Sequence, residues 1–147
     1  MNSAKNSGKP LSVVLGILQV FIGIGAVPAG LMMLLDPSGS SMGMPLSMLA
    51  STPFSTFLIP GILLLMVNGI GSILGGLASF RRYRHADKIA VGLGAFLILW
   101  IVAQIWWMGV HWLHIMYVTL GVVELTLGLL LRRHLRIDPK NHSEDSP

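Results

Sequence analysis

Three long apolar stretches dominate the pattern of hydrophobic and polar positions along this chain. Residues 11–35 and 57–80 contain no charged side chain, and Glu124 is the only charged residue within 89–131. A helix rises about 1.5 Å per residue and needs roughly 20 apolar residues to cross a bilayer, so the last stretch is long enough to cross twice. The pattern therefore predicts four transmembrane helices, over 11–35, 57–80, 89–109 and 113–132.

These helices make up one domain, residues 11–133, which we expect to be all-α and to fold as an antiparallel four-helix transmembrane bundle. The flanking segments, 1–10 and 134–147, are polar and are expected to be disordered tails. A signal peptide is the alternative interpretation of the first stretch, because Lys5 and Lys9 precede it. The stretch is long for a signal peptide, and its removal would leave three helices with the chain ends on opposite sides.

The composition agrees with a membrane protein. Of the 147 residues, 53% are hydrophobic and 11% are charged, whereas soluble domains carry about 25% charged residues. The mean hydropathy is +0.73. Because the chain has no cysteine, disulfides, thiolate metal sites and thiol redox pairs are excluded.

The basic residues predict the orientation of the chain. All ten Lys and Arg residues lie in three segments, 5–9, 81–88 and 132–140, which four crossings place on one side of the membrane. The positive-inside rule assigns that side to the cytoplasm, together with both termini, and the tryptophan-rich stretch 106–112 falls at the opposite boundary.

The same basic segments adjoin apolar spans, so membrane lipids rather than nucleic acid are the expected partner. Anionic headgroups attract such residues by about 1 kcal/mol each. The residues expected to contact headgroups are Arg81, Arg82, Arg84, Arg132 and Arg133.

The first outer loop, 36–61, has no charge after Asp36 and is rich in Met, Leu and Phe, which indicates that it lies on the membrane. The Asp-Pro-Ser-Gly sequence at 36–39 favours a turn that ends the first helix. Pro45 suits the first position of a helix. We therefore expect a short interfacial helix over 45–50.

Glu124 is an ionisable residue inside the fourth helix. Gly121 lies three residues before it and Gly128 four after, so the three share one helix face. Small residues let another backbone approach closely, which predicts that Glu124 faces the bundle interior. The spacing recurs as Gly-Gln-Gly at 16, 19 and 23 and, more loosely, as Gly-Ser-Gly at 69, 72 and 76. The third helix shows no such spacing, and we expect it to face lipid or a partner.

Counting from the basic segments places Gln19, Ser72 and Glu124 at one depth, about 12 to 15 Å above the cytoplasmic boundary. We expect Gln19 and Ser72 to form hydrogen bonds with a protonated Glu124 in a buried polar layer. Two interpretations are open: polar ties that fix the helix register, or a proton- or cation-binding site. Asn68 and Gln104 lie higher and form a second polar patch, or bond to neighbouring backbone.

The sequence gives weaker indications of a metal site or a catalytic site than of the buried polar layer. Met42, Met44, His111 and His114 gather on the outer side, and thioether and imidazole ligands suit copper. Met is also a common apolar gap-filler, and a histidine at a turn often only caps it, so we expect no metal and no cofactor. Because the sequence has no Ser-His-Asp or paired-carboxylate arrangement, we do not predict an enzyme.

Two segments carry a resemblance to known proteins. DPSGSSMGMPLSMLASTPFSTFLIPG (36–61) and LGVVELTLGLLLRR (120–133) resemble segments of uncharacterised small bacterial four-helix membrane proteins. The glutamate in a glycine-rich fourth helix is similar to the DoxX-like group, which includes small subunits associated with quinone-linked redox enzymes. The resemblance implies a multi-pass protein of the bacterial inner membrane that works as an accessory subunit.

The favoured function is a non-enzymatic accessory or small-ligand-binding protein, with lipid or a partner membrane protein as its ligand. The alternative is a proton-coupled transporter or channel that uses Glu124. It would form a homo-oligomer through the glycine-rich faces, since four helices enclose little space. A third candidate is a redox subunit with a quinone against Trp106, Trp107 and Trp112.

Overall fold

Four helices of this chain are long and apolar enough to cross a membrane. The computed structural model describes residues 3–137, with side chains for 8–136, and every regular element in that range is helical. The candidate spans are Gly8–Leu35, Leu58–Phe80, Ala86–Met108 and Trp112–Arg136. The chain is therefore a membrane protein with the predicted all-α, four-helix fold.

The first span belongs to α1, Ser3–Leu35. The second span is built from three consecutive segments: α2 (Leu58–Leu63), a π-helical segment (Leu64–Gly71) and α3 (Ser72–Phe80). The third and fourth spans are α4 (Ala86–Met108) and α5 (Trp112–Ile137).

Three helices extend further toward the basic segments than predicted. α1 begins at Ser3 rather than at 11, so the tail predicted over 1–10 is helical from Ser3 onward. α4 begins at Ala86 rather than 89, and α5 continues to Ile137 rather than ending at 132. The apolar pattern marks only the part of a helix that lies in lipid, whereas backbone hydrogen bonding continues past it. Residues 138–147 of the predicted C-terminal tail lie outside the described residues.

α1 packs against the second span through small residues. A β-carbon added at Gly16 would lie 2.6 Å from the Phe80 ring, and one added at Gly30 would lie 2.8 Å from the backbone nitrogen of Leu65. The early part of α1 therefore contacts the end of the second span, and the later part of α1 contacts its beginning, so the two spans run in opposite directions. Such close approach is the usual source of helix association in lipid.

α4 packs along α5 through small residues of its own, so the expectation that the third helix lacks such a face was wrong. Ala86, Ala90 and Gly94 are buried at four-residue intervals. A β-carbon at Gly94 would lie 2.8 Å from the backbone nitrogen of Leu125 and 3.0 Å from the carbonyl oxygen of Gly121. Alanine occupies two of the three positions, which is why a pattern centred on glycine missed this face.

The outer loop begins with a turn organised by Asp36. The Asp36 carboxylate accepts hydrogen bonds from the backbone and hydroxyl of Ser38, from the backbone of Ser41 and from the hydroxyl of Ser40. These bonds, the one from the Ser38 hydroxyl first among them, hold the pKa of the Asp36 carboxyl below its ordinary value. The carboxylate thus fixes the direction in which the chain leaves α1.

The rest of the loop covers the ends of the helices. A short 3₁₀ helix, Leu46–Leu49, lies within the range predicted to be helical, and its position at the membrane interface stays a prediction. Leu49 and Phe57 are buried. The backbone N–H of Phe57 donates to the carbonyl oxygen of Pro37 at 2.9 Å, which joins the two ends of the loop. Packing against the bundle therefore also accounts for the lack of charge in this loop.

Replacing Gly94 by Ala should lower the free energy of unfolding by about 1–3 kcal/mol, the usual cost of overpacking. The added methyl group would meet the backbone of α5, which cannot move aside as a side chain can. Gly92→Ala is the matched control, since a β-carbon at Gly92 meets nothing within 4 Å. Unfolding by SDS titration in mixed micelles measures both variants. Equal loss of stability in the two would contradict the close α4–α5 contact.

Candidate functional site

A buried cluster of three polar side chains connects three of the spans. Nε2 of Gln19 donates a hydrogen bond to Oε1 of Glu124 at 3.0 Å, and Oγ of Ser79 donates to Oε1 of Gln19 at 2.8 Å. All three residues are 0% exposed. The bond expected between Gln19 and Glu124 is present, and the cluster connects α1, α3 and α5.

Ser79, not Ser72, is the third member of this cluster. Ser72 is buried, but among the hydrogen bonds of residues 8–136 none joins it to Glu124, so that expectation was wrong. The two serines are seven residues apart and share a helix face. Gln19 lies opposite the stretch between them, where a β-carbon at Gly75 would stand 3.1 Å from its Nε2. The glycine spacing identified the face, but the depth count selected Ser72, seven residues before the serine that bonds to the amide.

Glu124 has one oxygen without a partner. Oε2 is buried and makes no hydrogen bond to any residue that the structure describes. Oε1, by contrast, is held by Gln19. A carboxyl in this arrangement links two helices through a hydrogen bond to one oxygen, and its second oxygen can bind a proton, a water molecule or a cation.

A cavity of about 300 Å³ occupies the other half of the bundle, beneath the outer loop. All four spans and the loop line it, and its surface is mainly apolar, with Ile22, Met33 and Leu97 among the contributors. Ile22 lies three residues from Gln19 along α1, so about one helical turn separates the cavity from the polar cluster.

Two residues that line this cavity each have a buried N–H donor with no partner among the described residues. Asn68 is 1% exposed and Trp100 is 9% exposed. The unpartnered atoms are Nδ2 of Asn68 and Nε1 of Trp100. Both residues line the cavity, and buried polar atoms without partners are uncommon in folded proteins.

Local structure fixes the position of each donor. Asn68 lies in the middle of the π-helical segment Leu64–Gly71, and π-helical turns often occur at functional sites. The Trp100 ring stacks on Phe96, with ring centroids 6.3 Å apart.

The sequence placed Asn68 and Gln104 in an upper polar patch, and both line the cavity. Trp100 was missed, because only the tryptophans near the membrane boundary were considered. Its position in the middle of the predicted third helix, 89–109, was the available signal, since a tryptophan there has an indole N–H that needs a partner.

The residues considered for copper do not all lie in one place. Met42, Met44 and His114 line the cavity, while His111 is exposed. The backbone N–H of His111 donates to Nδ1 of His114 at 3.1 Å, so this imidazole caps the start of α5 with one of its two nitrogens. Within the described residues, no three His, Asp or Glu side chains come together as a metal site.

The tryptophans at the outer boundary do not form a single surface. Trp106 is 86% exposed and Trp112 is 71% exposed. Trp107 lines the cavity and meets the edge of the Phe54 ring, with centroids 5.6 Å apart. Only one of the three residues expected to face a quinone is therefore placed to contact a molecule inside the bundle.

Part of the predicted headgroup set comes together at the opposite end of the bundle. A cleft of about 320 Å³ lies there between the start of α4 and the end of α5, and its basic residues are Arg84, Lys88, Arg132 and Arg136. Arg81, Arg82 and Arg133 are exposed outside the cleft. The two basic segments are thus adjacent in the fold, as their shared side of the membrane requires.

Replacing Gln19 by Leu should lower the free energy of unfolding by about 1–2 kcal/mol, the range for polar contacts between membrane helices. The change removes the partner of both Glu124 and Ser79. In a Glu124→Leu background the same substitution should cost about 0.6–1.7 kcal/mol less, which is the coupling typical of such pairs.

A double-mutant cycle measured by SDS unfolding gives this coupling. Thr126→Val is the control for loss of a polar group within the fourth span, because Thr126 is exposed and bonds only to its own helix at the carbonyl of Val122. Additive effects of Gln19→Leu and Glu124→Leu would show that the bond contributes nothing to stability.

Comparison of the chain with protein-family models, with curated proteins and with solved structures gives no match. The interpretation of the site therefore depends on its geometry.

Proposed function

We propose that this chain is a non-enzymatic membrane protein that binds a small apolar molecule, or one chain of a lipid, in the cavity beneath the outer loop. The cavity is the observation that carries the proposal. Its volume of about 300 Å³ is at the lower end of the range for small-molecule sites, about 300–1,000 Å³. Mainly apolar walls with a few polar groups are also typical of such sites.

A mainly apolar and partly open cavity of this size leaves its walls without contacts when nothing apolar fills it. Protein interiors are close-packed, and side chains that line a gap lose dispersion contacts on that side. A bound apolar molecule restores those contacts. The loop residues Met42 and Met44 suit this role, because unbranched thioether side chains adapt to molecules of different shape.

We also propose that the protein lies in the bacterial inner membrane with both termini in the cytoplasm. The basic segments support this orientation through the positive-inside rule. It places the cavity and the outer loop in the half of the membrane away from the cytoplasm. A bound molecule would then exchange with that leaflet or with the space outside it.

Replacing Ala29, which lines the cavity, by Phe should reduce co-purification of a bound apolar molecule by about tenfold or more, equivalent to at least 1.4 kcal/mol. The ring would occupy space that the ligand needs. Val102→Phe is the matched control, since Val102 is 52% exposed on α4 and does not line the cavity. Native mass spectrometry of protein purified from membranes measures the occupancy. Wild-type protein without a bound molecule, or equal occupancy in both variants, would contradict the proposal.

Proton binding at Glu124 is a second candidate function, and one observation favours it. The carboxyl is buried in a membrane span with one oxygen unpartnered by the described residues. Ionisable groups in such positions are frequently parts of proton pathways. In a proton-coupled transporter, Glu124 would carry the proton while Gln19 holds its other oxygen.

The carboxyl infrared band of Glu124 in lipid bilayers tests this second candidate, with Glu124→Gln as the spectroscopic blank. If Glu124 exchanges protons in function, the band should change from the protonated to the ionised form within the range pH 5–9. A band that keeps one form across that range would show that Glu124 is a fixed tie between helices. Neither result contradicts the proposed ligand binding in the cavity, because Glu124 and the cavity are separate sites.

An accessory role with a partner membrane protein, implied by the resemblance to the DoxX-like group, belongs to the same proposal. The glycine faces of α1, the second span and α5 pack within the chain. A partner, or a second copy of the chain in a homo-oligomer, would therefore contact the outward side chains of the bundle. The quinone-linked alternative has less support, because Trp106 and Trp112 lie outside the cavity.

A further inference from the structure

The basic cleft at the end of the bundle opposite the outer loop has walls from two helices. Arg84 and Lys88 lie at the start of α4, and Arg132 and Arg136 lie near the end of α5. Asp87 is the one acidic residue that lines the cleft within the described part of the chain. With the lining histidine neutral, the four basic groups therefore exceed the single acidic group by three charges.

The N–H donors of these four basic side chains are not used within the described part of the protein. None of the four takes part in the side-chain hydrogen bonds of residues 8–136. Arginine and lysine side chains carry several N–H donors and no acceptor. The cleft thus combines excess positive charge with available donors, which favours an anion that has several acceptor oxygens.

The start of α4 adds to the positive potential of the cleft. His85 lines the cleft and is the N-cap residue of α4, and its side chain makes no hydrogen bond to the helix. The first N–H groups of a helix, together with its dipole, attract negative groups. Asp87 lies in the first turn and offsets part of this attraction, so the basic side chains remain the main source of the potential.

Close packing of α4 against α5 fixes the spacing of the two walls. Ala86 and Ala90 of α4 share one buried cluster with Leu131 of α5, the residue directly before Arg132. A β-carbon added at Gly128 would lie 3.1 Å from the β-carbon of Ala90. The backbone of each wall is therefore held in place by the fold, and a ligand need not bring the helices together.

From these observations we infer that the cleft binds the phosphate group of an anionic lipid and favours a headgroup with two negative charges over one with a single charge. Arginine suits this role because parallel N–H bonds from its side chain meet two phosphate oxygens. The cleft lies at the ends of two membrane spans, and basic pockets between spans commonly bind lipid headgroups. The inference is independent of the proposed function, because the apolar cavity lies at the other end of the bundle.

Two lipids with the same acyl chains test the charge preference: dioleoyl phosphatidic acid, a phosphate monoester, and dioleoyl phosphatidylglycerol, a diester. At pH 8 the monoester carries about one negative charge more than the diester. Native mass spectrometry of the full chain in detergent measures both affinities. We expect phosphatidic acid to bind about fivefold more tightly, equivalent to the roughly 1 kcal/mol that one charge contributes near a headgroup. Equal affinities would overturn the inference.

Glycerol 3-phosphate distinguishes a lipid from a soluble phosphate ester, because it carries the same monoester without acyl chains. We expect it to displace phosphatidic acid only at about a hundredfold higher concentration, since buried acyl methylene groups add to the affinity of the lipid. Displacement at equal concentration would assign the cleft to a soluble phosphate ester and overturn the lipid source.

Arg132 and Arg133 provide a matched pair of variants, because they are neighbours in the sequence and only Arg132 lines the cleft. Arg132→Gln and Arg133→Gln remove the same charge from the same segment. Arg132→Gln should weaken binding of phosphatidic acid by about fivefold, and Arg133→Gln should leave it within about twofold. Equal losses in the two variants would show general attraction to a basic surface rather than a site, and would overturn the inference.

A second matched pair tests the other wall without removing a partly buried side chain. Arg84 lines the cleft and Arg81 lies outside it, and both are exposed, so neither substitution disturbs packing. Arg84→Gln should weaken binding of phosphatidic acid by about fivefold and Arg81→Gln by no more than about twofold. If Arg84→Gln has no larger effect than Arg81→Gln, the two walls do not act together and the inference fails.

Discussion

Polar side chains within a membrane span have no water to bond with, so each must find its partner inside the protein. This constraint divides the bundle into two halves. In the half nearer the basic segments, Gln19 is bonded on both sides, to Glu124 and to Ser79. In the other half, the donors of Asn68 and Trp100 are buried without partners among the described residues. Within the described residues, the first half leaves only Oε2 of Glu124 without a partner, whereas the second half leaves both donors unpartnered.

Small residues make that division sterically possible. In lipid, bringing helices together yields little hydrophobic free energy, so the helices associate mainly through close backbone contact. The contact of Gly94 with the backbone of α5 draws the third and fourth spans together, and Gly75 leaves room for the amide of Gln19. Where the outer loop covers the helices, larger side chains such as Trp100 and Phe57 hold the walls apart and the cavity opens.

The sequence predicted the four spans, the buried face of Glu124 and its bond to Gln19, because long apolar runs and glycine spacing depend on local chain geometry. It did not predict Ser79, since the choice between two serines on one face depends on how α1 sits against α3. It did not predict the alanine-based face of α4, because the search was limited to glycine. The cavity could not be predicted, since it arises from the loop and four spans together and no local sequence pattern encodes it.

The π-helical segment Leu64–Gly71 connects the two halves of the bundle within one span. Each residue of an α-helix turns the chain by about 100°, so the wider winding of this segment sets the rotation of α3 relative to α2. Regular α-helical winding over the same residues would rotate Ser79 relative to Pro60 and Asn68, whereas loss of a single residue would largely offset that rotation, because a π-helical turn holds about one residue more than an α-helical turn. The winding of this one span therefore couples the orientation of the cavity wall to that of the polar cluster.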